Sequence, residues 1–249
     1  MKHSEPIEDR FVRFAILLLP LLLVACSGSP PPYVTTVGVL RPGATLTVHA
    51  GTAVVNAYQP LTGGPRDLYT ISATALPKQA PPAAPRRHAV NSGIDVSAPG
   101  SFQSLLVRVP DGVNLVVQSE RGNVNVTDIT GSALIVARRG DVNVKVPGYA
   151  QVAAGDGNVS VMMGATQWPG TLHFSSVRGD VEVWIGARAA FTVHLHTGNG
   201  VLFTDFGLRG TSEGAAETID GSVNGGSNQR IDIETSAGAI RLLRLQPQA

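Results

Sequence analysis

One pentapeptide recurs four times along the chain: Gly122-Asn123-Val124-Asn125-Val126, Gly140-Asp141-Val142-Asn143-Val144, Gly157-Asn158-Val159-Ser160-Val161 and Gly179-Asp180-Val181-Glu182-Val183. The shared form, Gly-[Asn/Asp]-Val-x-Val, reads as a turn followed by a strand whose valines point one way and whose polar residues point the other. The glycines recur after 18, 17 and 22 residues, and a fixed period of this size is the signature of a repeat architecture. Weaker copies extend the array: Gly200-Val201-Leu202-Phe203 follows after 21 residues and Gly238-Ala239-Ile240-Arg241-Leu242 after a further 38, roughly two repeats. Gly93-Ile94-Asp95-Val96 and Gly51-Thr52-Ala53-Val54 read as degenerate early copies.

A second strand precedes each glycine, as in Leu134-Ile135-Val136, Leu172-His173-Phe174 and Val193-His194-Leu195. Each unit is therefore two short strands and two turns, too small to hide its own apolar face. Stacking such units about 4.8 Å apart continues both hydrogen-bonded ladders and buries the valine columns between them. The fold class expected is all-β, a parallel β-solenoid, β-helix-like, of stacked two-strand coils. An antiparallel β-sandwich or meander is the alternative, because Asp-Gly and Arg-Gly-Asp sequences also make hairpin turns. The regular period favours the solenoid, since coils stacked in register keep a fixed length.

Composition agrees. The chain has 249 residues, of which 43% are hydrophobic and 15% charged, so it can bury a core. Its 28 glycines, with abundant Val and Thr, favour strands and tight turns and leave little room for helix. The formal net charge is only +1, and no nucleic-acid partner is expected without clustered positive charge. The adjacent pairs Arg86-Arg87 and Arg138-Arg139 fall beside a proline-rich stretch and at an expected turn, where solvated connections account for them.

The start of the chain carries Lys2, Arg10 and Arg13, then the apolar run Phe14 to Val24. That order is that of a signal peptide, and eleven apolar residues are too few to span a bilayer as a helix. The run ends in Leu23-Val24-Ala25-Cys26, which resembles the lipobox of bacterial lipoproteins. The resemblance implies a signal peptide over 1–25, cleavage before Cys26 and a diacylglyceryl group on its thiol, with the freed amine commonly acylated. Each buried methylene adds about 0.8 kcal/mol, so two or three chains anchor far more firmly than one. Cys26 is the only cysteine, so an internal disulfide has no second partner. Ser27 resembles the residues that permit export to an outer membrane, so localisation at the cell envelope is expected, in the outer membrane if the host is Gram-negative. Residues 26–33 form a lipidated Ser/Gly/Pro tether. Residues 34–90 read as a degenerate N-terminal β repeat with a proline-rich interruption from Pro77 to Pro85, and 91–249 as the repeat solenoid, with a polar loop over 207–229.

The segment Arg108-Val109-Pro110-Asp111-Gly112-Val113-Asn114-Leu115-Val116-Val117, followed by Glu120-Arg121-Gly122-Asn123-Val124-Asn125-Val126, resembles a widespread bacterial family, a domain of unknown function with β-strand repeats whose members are also called candidate adhesins. The likeness spans roughly residues 44 to 245. It implies an exported or membrane-tethered, β-solenoid-like protein with no established catalytic residues.

The search for chemistry finds no Gly-x-Ser-x-Gly elbow, P-loop, HExxH helix or zinc-binding cysteine set, and no enzyme activity is expected. Asn123, Asp141, Asn158 and Asp180, beside Gly122, Gly140, Gly157 and Gly179, form a structural turn ladder at one corner, where stacked amides and carboxylates commonly satisfy turn backbone. Calcium-binding nonapeptide rolls need Gly-Gly-x-Gly-x-Asp every nine residues, a spacing this chain lacks. A metal site is a second candidate. His173 and His194 each lie six residues before a repeat glycine, which puts His194 and His196 on one strand and His173 in the neighbouring coil, all facing outward. Three imidazoles within about 5 to 7 Å could ligate Zn²⁺ or another divalent ion; a solvated polar face is the preferred reading, because no carboxylate is obviously placed to orient them. No cofactor is expected beyond the covalent lipid on Cys26. Partners expected are the membrane, through that lipid, and a protein or other envelope component. The function expected is a non-enzymatic envelope lipoprotein presenting a rigid β-repeat surface for adhesion or binding; the alternatives are a periplasmic ligand- or metal-binding module using the outward histidines, and a structural spacer or assembly subunit.

Overall fold

The computed structural model describes residues 32–61, 66–77 and 83–246. Cys26, the signal peptide over 1–25 and most of the tether over 26–33 lie outside the described residues, as does the middle of the proline-rich interruption. The described residues all belong to one unit that begins at Pro31.

Period-two alternation is visible strand by strand. In Val142–Val146 the three valines are buried while Asn143 and Lys145 are exposed, and no helix occurs among the described residues. In chain order the strands are β1 (Tyr33–Val39), β2 (Thr45–Tyr58), β3 (Leu68–Thr74), β4 (Arg86–Val90), β5 (Gly93–Arg108), β6 (Asn114–Arg121), β7 (Val124–Thr127), β8 (Ala133–Arg139), β9 (Val142–Val146) and β10 (Ala150–Asp156). They continue as β11 (Val159–Met163), β12 (Thr171–Arg178), β13 (Val181–Gly186), β14 (Phe191–Thr197), β15 (Leu202–Thr204), β16 (Thr211–Glu213), β17 (Ala216–Val223), β18 (Arg230–Ala237) and β19 (Ile240–Leu245).

Parallel pairing builds two ladders. On the first face β6, β8, β10 and β12 stack in turn; on the second, β7, β9, β11 and β13 do the same. Each coil is one strand from each face with the glycine corner between them. The long strands β2 and β5 each run through both faces, paired in parallel with one another, and join the ladders into one 19-stranded sheet. The chain is therefore a stack of parallel coils and not a meander: with the valine columns facing one interior, a parallel register buries every copy at once.

Spatial order departs from chain order at both ends. β2 pairs with β6 and β7 on one side and β5 on the other, so the first coil in sequence is the second in space. At the far end β18–β19, the last coil in sequence, sits between β12–β13 and β14–β15. Gly200 and Gly238, read from the sequence as successive outward repeats, are thus stacked in the reverse order. The outermost coils carry antiparallel covers. β3 and β4 pair with β5, β1 with β3, and β17 with β14.

The polar stretch 207–229, expected as a loop, contains β16 and β17, an antiparallel hairpin. Its composition misleads because β17 buries little of itself. Ile219 and Val223 turn inward, 5% and 4% exposed, while the rest of the strand is polar. This hairpin blunts an edge that would otherwise offer unpaired backbone groups to another chain.

The core is a single cluster between the two faces. Val124, Val142, Val159, Val181 and Ile240 form one column, and Val117, Ile135, Val152, Phe174, Ile233 and Leu195 the column opposite. Burying each such side chain contributes about 1.5–3 kcal/mol. Towards the C-terminal end the interior is closed by aromatic rings: Trp168 lies 5.7 Å from Phe191, and Phe191 5.6 Å from Phe206.

Candidate functional site

The glycine corner is the most regular feature of the stack. Gly122 and Gly140 have φ of 121° and 126°, a region that glycine enters at little cost and other L-residues avoid. A Cβ at Gly140 would also strike the carbonyl oxygen of Gly122 in the coil beneath, and the same collision recurs up the column through Gly157, Gly179, Gly238 and Gly200. Glycine is needed here twice over, for its dihedral and for the closeness of the coils.

Beside it runs a side-chain ladder. Asn123 Oδ1 accepts the backbone N–H of Asp141 at 3.0 Å, Asp141 Oδ1 that of Asn158 at 2.9 Å, Asn158 Oδ1 that of Asp180 at 2.9 Å, and Asp180 Oδ1 that of Ala239 at 2.8 Å. Each polar side chain thus satisfies the turn of the next coil. Asn125 Nδ2 donates to Asn56 Oδ1 and Asn143 Nδ2 to Asn125 Oδ1, at 2.9 and 3.3 Å, extending an amide row on the second face.

A third ladder was missed in the sequence although its signal was present. Three residues before each repeat glycine stands a small residue: Ser119, Ala137, Ala154, Ser176, Thr235 and Thr197. In the structure these line the inside of the corner. Ser176 Oγ donates to Gly157 O at 2.8 Å, Thr235 Oγ1 to Gly179 O at 3.0 Å and Thr197 Oγ1 to Gly238 O at 2.9 Å. The Ser119 hydroxyl is buried and has no hydrogen-bond partner among the described residues.

The three histidines do not gather as the sequence suggested. His173 lies on β12 and His194 and His196 on β14, but β18 is inserted between those strands, so His173 pairs with Asp232 and Asp232 with His194. Two strand spacings, roughly 9–10 Å, separate the imidazoles of neighbouring repeats; ligands to one Zn²⁺ must each come within about 2.0–2.1 Å of it. Among the described residues no group of three His, Cys, Asp or Glu side chains is disposed to hold a metal ion. The outward row instead alternates imidazole with carboxylate: His173, Asp232, His194, Asp220. His194 Nδ1 is 2.8 Å from Asp220 Oδ1 and His173 Nδ1 3.7 Å from Asp232 Oδ2. Carboxylate partners therefore do exist, supplied by strands distant in sequence. Arg230 Nε donates to Asp232 Oδ1 at 2.5 Å; this hydrogen bond, and then the charge of Asp232, raise the Arg230 pKa above its ordinary value. His196 Nδ1 lies 3.0 Å from Thr218 Oγ1, and its ring stacks on that of His194 at 6.4 Å. The row ties the covering hairpin to the stack. Arg138 and Arg139, expected at a turn, close β8 instead.

A family model described as Toastrack DUF4097 matches residues 110–243. A solved structure of a candidate cell adhesion protein from Clostridium sporogenes is similar at 13% identity, covering 86% of this chain and 100% of that one with a TM-score of 0.47. A candidate adhesin from Bacteroides fragilis is similar at 11% identity, covering 84% of this chain and 96% of that one with a TM-score of 0.40. No curated protein matches the chain.

Proposed function

The chain belongs to the Toastrack DUF4097 family, and from that premise we propose that it is a non-enzymatic scaffold, lipid-anchored at the cell envelope, whose stacked coils present a binding surface to another envelope or extracellular component. The observation that carries the proposal is the stack itself. Two parallel ladders place outward side chains on successive strands about 4.8 Å apart, and backbone, Asn/Asp and Ser/Thr ladders hold the corner between them. Side chains mounted this way are positioned before a partner arrives, so binding costs less in ordering them. The anchor is supported by Leu23-Val24-Ala25-Cys26 and by the Ser/Gly/Pro segment behind it; in a two-membrane host we place the protein in the outer membrane.

The test uses the chain with Cys26→Ser, immobilised on beads and incubated with washed envelope fragments from the producing bacterium. Retention well above that on beads carrying an unrelated β-protein is expected. Equal retention on the two would contradict the presenting role.

A further inference from the structure

Three strands of the first face end in arginine. Arg121 closes β6, Arg138 and Arg139 close β8, and Arg178 closes β12. The parallel register places Arg139 and Arg178 on either side of Asp156, the last residue of β10. Arg121 stands one coil from Arg139, next to the Gly122 N–H that donates to the Arg139 carbonyl at 2.9 Å. Over a run of four coils, three therefore contribute arginine and one contributes Asp156, just before the glycine corner.

Two carboxylates lie among these four cations. Glu120 Oε2 is 3.1 Å from Arg138 Nη1; Asp156 Oδ1 is 2.6 Å from Arg178 Nη2, and Asp156 Oδ2 is 3.7 Å from Arg139 Nε. Arg121 makes no ion pair among the described residues. These six side chains sum to two positive charges, beside the Asp141 and Asp180 carboxylates of the same corner, in a chain whose formal net charge is +1. Arg121, Arg138, Arg139, Glu120, Asp156 and Thr52 surround a surface depression of about 470 Å³. The paired arginine side chains remain 76%, 63% and 71% exposed, so their guanidinium forks have free N–H groups to offer.

We propose that this corner binds an envelope polymer bearing repeated phosphate or sulfate groups, laid along the stack. A planar guanidinium meets such an oxyanion with two parallel hydrogen bonds. Exposed ion pairs are individually weak, each changing affinity by only about 1.4- to 5-fold, which disfavours a single small anion. A polymer gains by meeting Arg121, Arg139 and Arg178 in succession, because each contact after the first is effectively intramolecular. Glu120 and Asp156 keep the arginines extended and apart, and compete with the ligand for them. This proposal rests on the reading of the stack as a presenting surface and names the chemistry of what it presents to.

The experiment titrates the Cys26→Ser chain with long-chain inorganic polyphosphate and, separately, with dextran sulfate and with phosphatidylglycerol vesicles. Salt is set at about 0.01 M and about 1 M, where the screening length is about 30 Å and about 3 Å. Saturable binding at low salt that is lost at high salt is expected. Doubly substituted Arg121→Ala/Arg139→Ala should bind about two- to thirtyfold more weakly, two exposed contacts being removed. Glu120→Gln should bind about threefold more tightly, a gain that damage to the fold would not produce. Arg209→Ala, on the covering segment, should leave binding unchanged. Absence of low-salt binding, or equal binding by the doubly substituted protein, would overturn the site. Binding only to phosphatidylglycerol vesicles would overturn it in favour of a membrane contact. Bead retention of envelopes separates the two proposals: retention without polyanion binding sinks the arginine site alone, and polyanion binding without retention sinks the presenting role alone.

Discussion

Asp141 shows how little chemistry a single position in this stack needs. Its Oδ1 accepts one backbone N–H from the next coil, an interaction worth about 0.5–1.5 kcal/mol. Asparagine offers the same acceptor and already occupies positions 123 and 158 of the same ladder. Asp141→Asn should therefore leave the free energy of urea unfolding within about 0.5 kcal/mol, whereas Asp141→Ala should lower it by about 1 kcal/mol. Ser119 is the reverse case. Its buried hydroxyl has no partner among the described residues, and alanine stands at the equivalent position in the next two coils, Ala137 and Ala154. Ser119→Ala should raise stability by about 1 kcal/mol, the cost of an unmet buried hydroxyl; Thr197→Val, which removes a donor to Gly238 O, should lower it by a similar amount. At this scale much could be read directly. The repeat glycines and their Asn/Asp neighbours recur too regularly to have another cause, while the Ser/Thr/Ala position went unremarked because three different residue types share one small-residue role.

At the scale of strands the sequence was informative about which segments pair and silent about their order. A period measured along the chain cannot reveal that residues 230–245 fold back between β12–β13 and β14–β15, because the inserted coil obeys the same local pattern as any other. That insertion is what separates His173 from His194 and His196. His173 and His194 do occupy equivalent repeat positions, but Asp232 stands between them. Insertion makes β14 and β15 depend on the C-terminal coil. Ile231, Ile233, Ile240 and Leu242 are fully buried, and among the described residues the ladder partner of β15 is β19. Ending the chain after Gln229 should leave β6 to β13 folded while the amides of 191–204 exchange as fast as in the unfolded chain. Retained protection there would show that β14–β15 hold without the C-terminal coil, through β17 or directly on β12–β13. The hairpin over 211–223 is illegible for a different reason, since only Ile219 and Val223 mark the buried side of β17.

For the whole molecule, the use of the stacked coils and the arginine corner depends on where they are held. If Cys26 carries the lipid proposed above, the segment to Tyr33 can span at most about 3.6 Å per residue, so Tyr33 stays within a few tens of ångströms of the membrane. A surface presented from that height meets polymers of the same envelope before anything more distant. The reading fails if Cys26 is not the anchor. Fractionation of cells expressing the wild type and Cys26→Ser, with radiolabelled palmitate in the medium, tests this most directly. The account predicts a labelled wild-type protein in the membrane fraction and an unlabelled Cys26→Ser protein released from it. A Cys26→Ser protein that remains membrane-bound would contradict it.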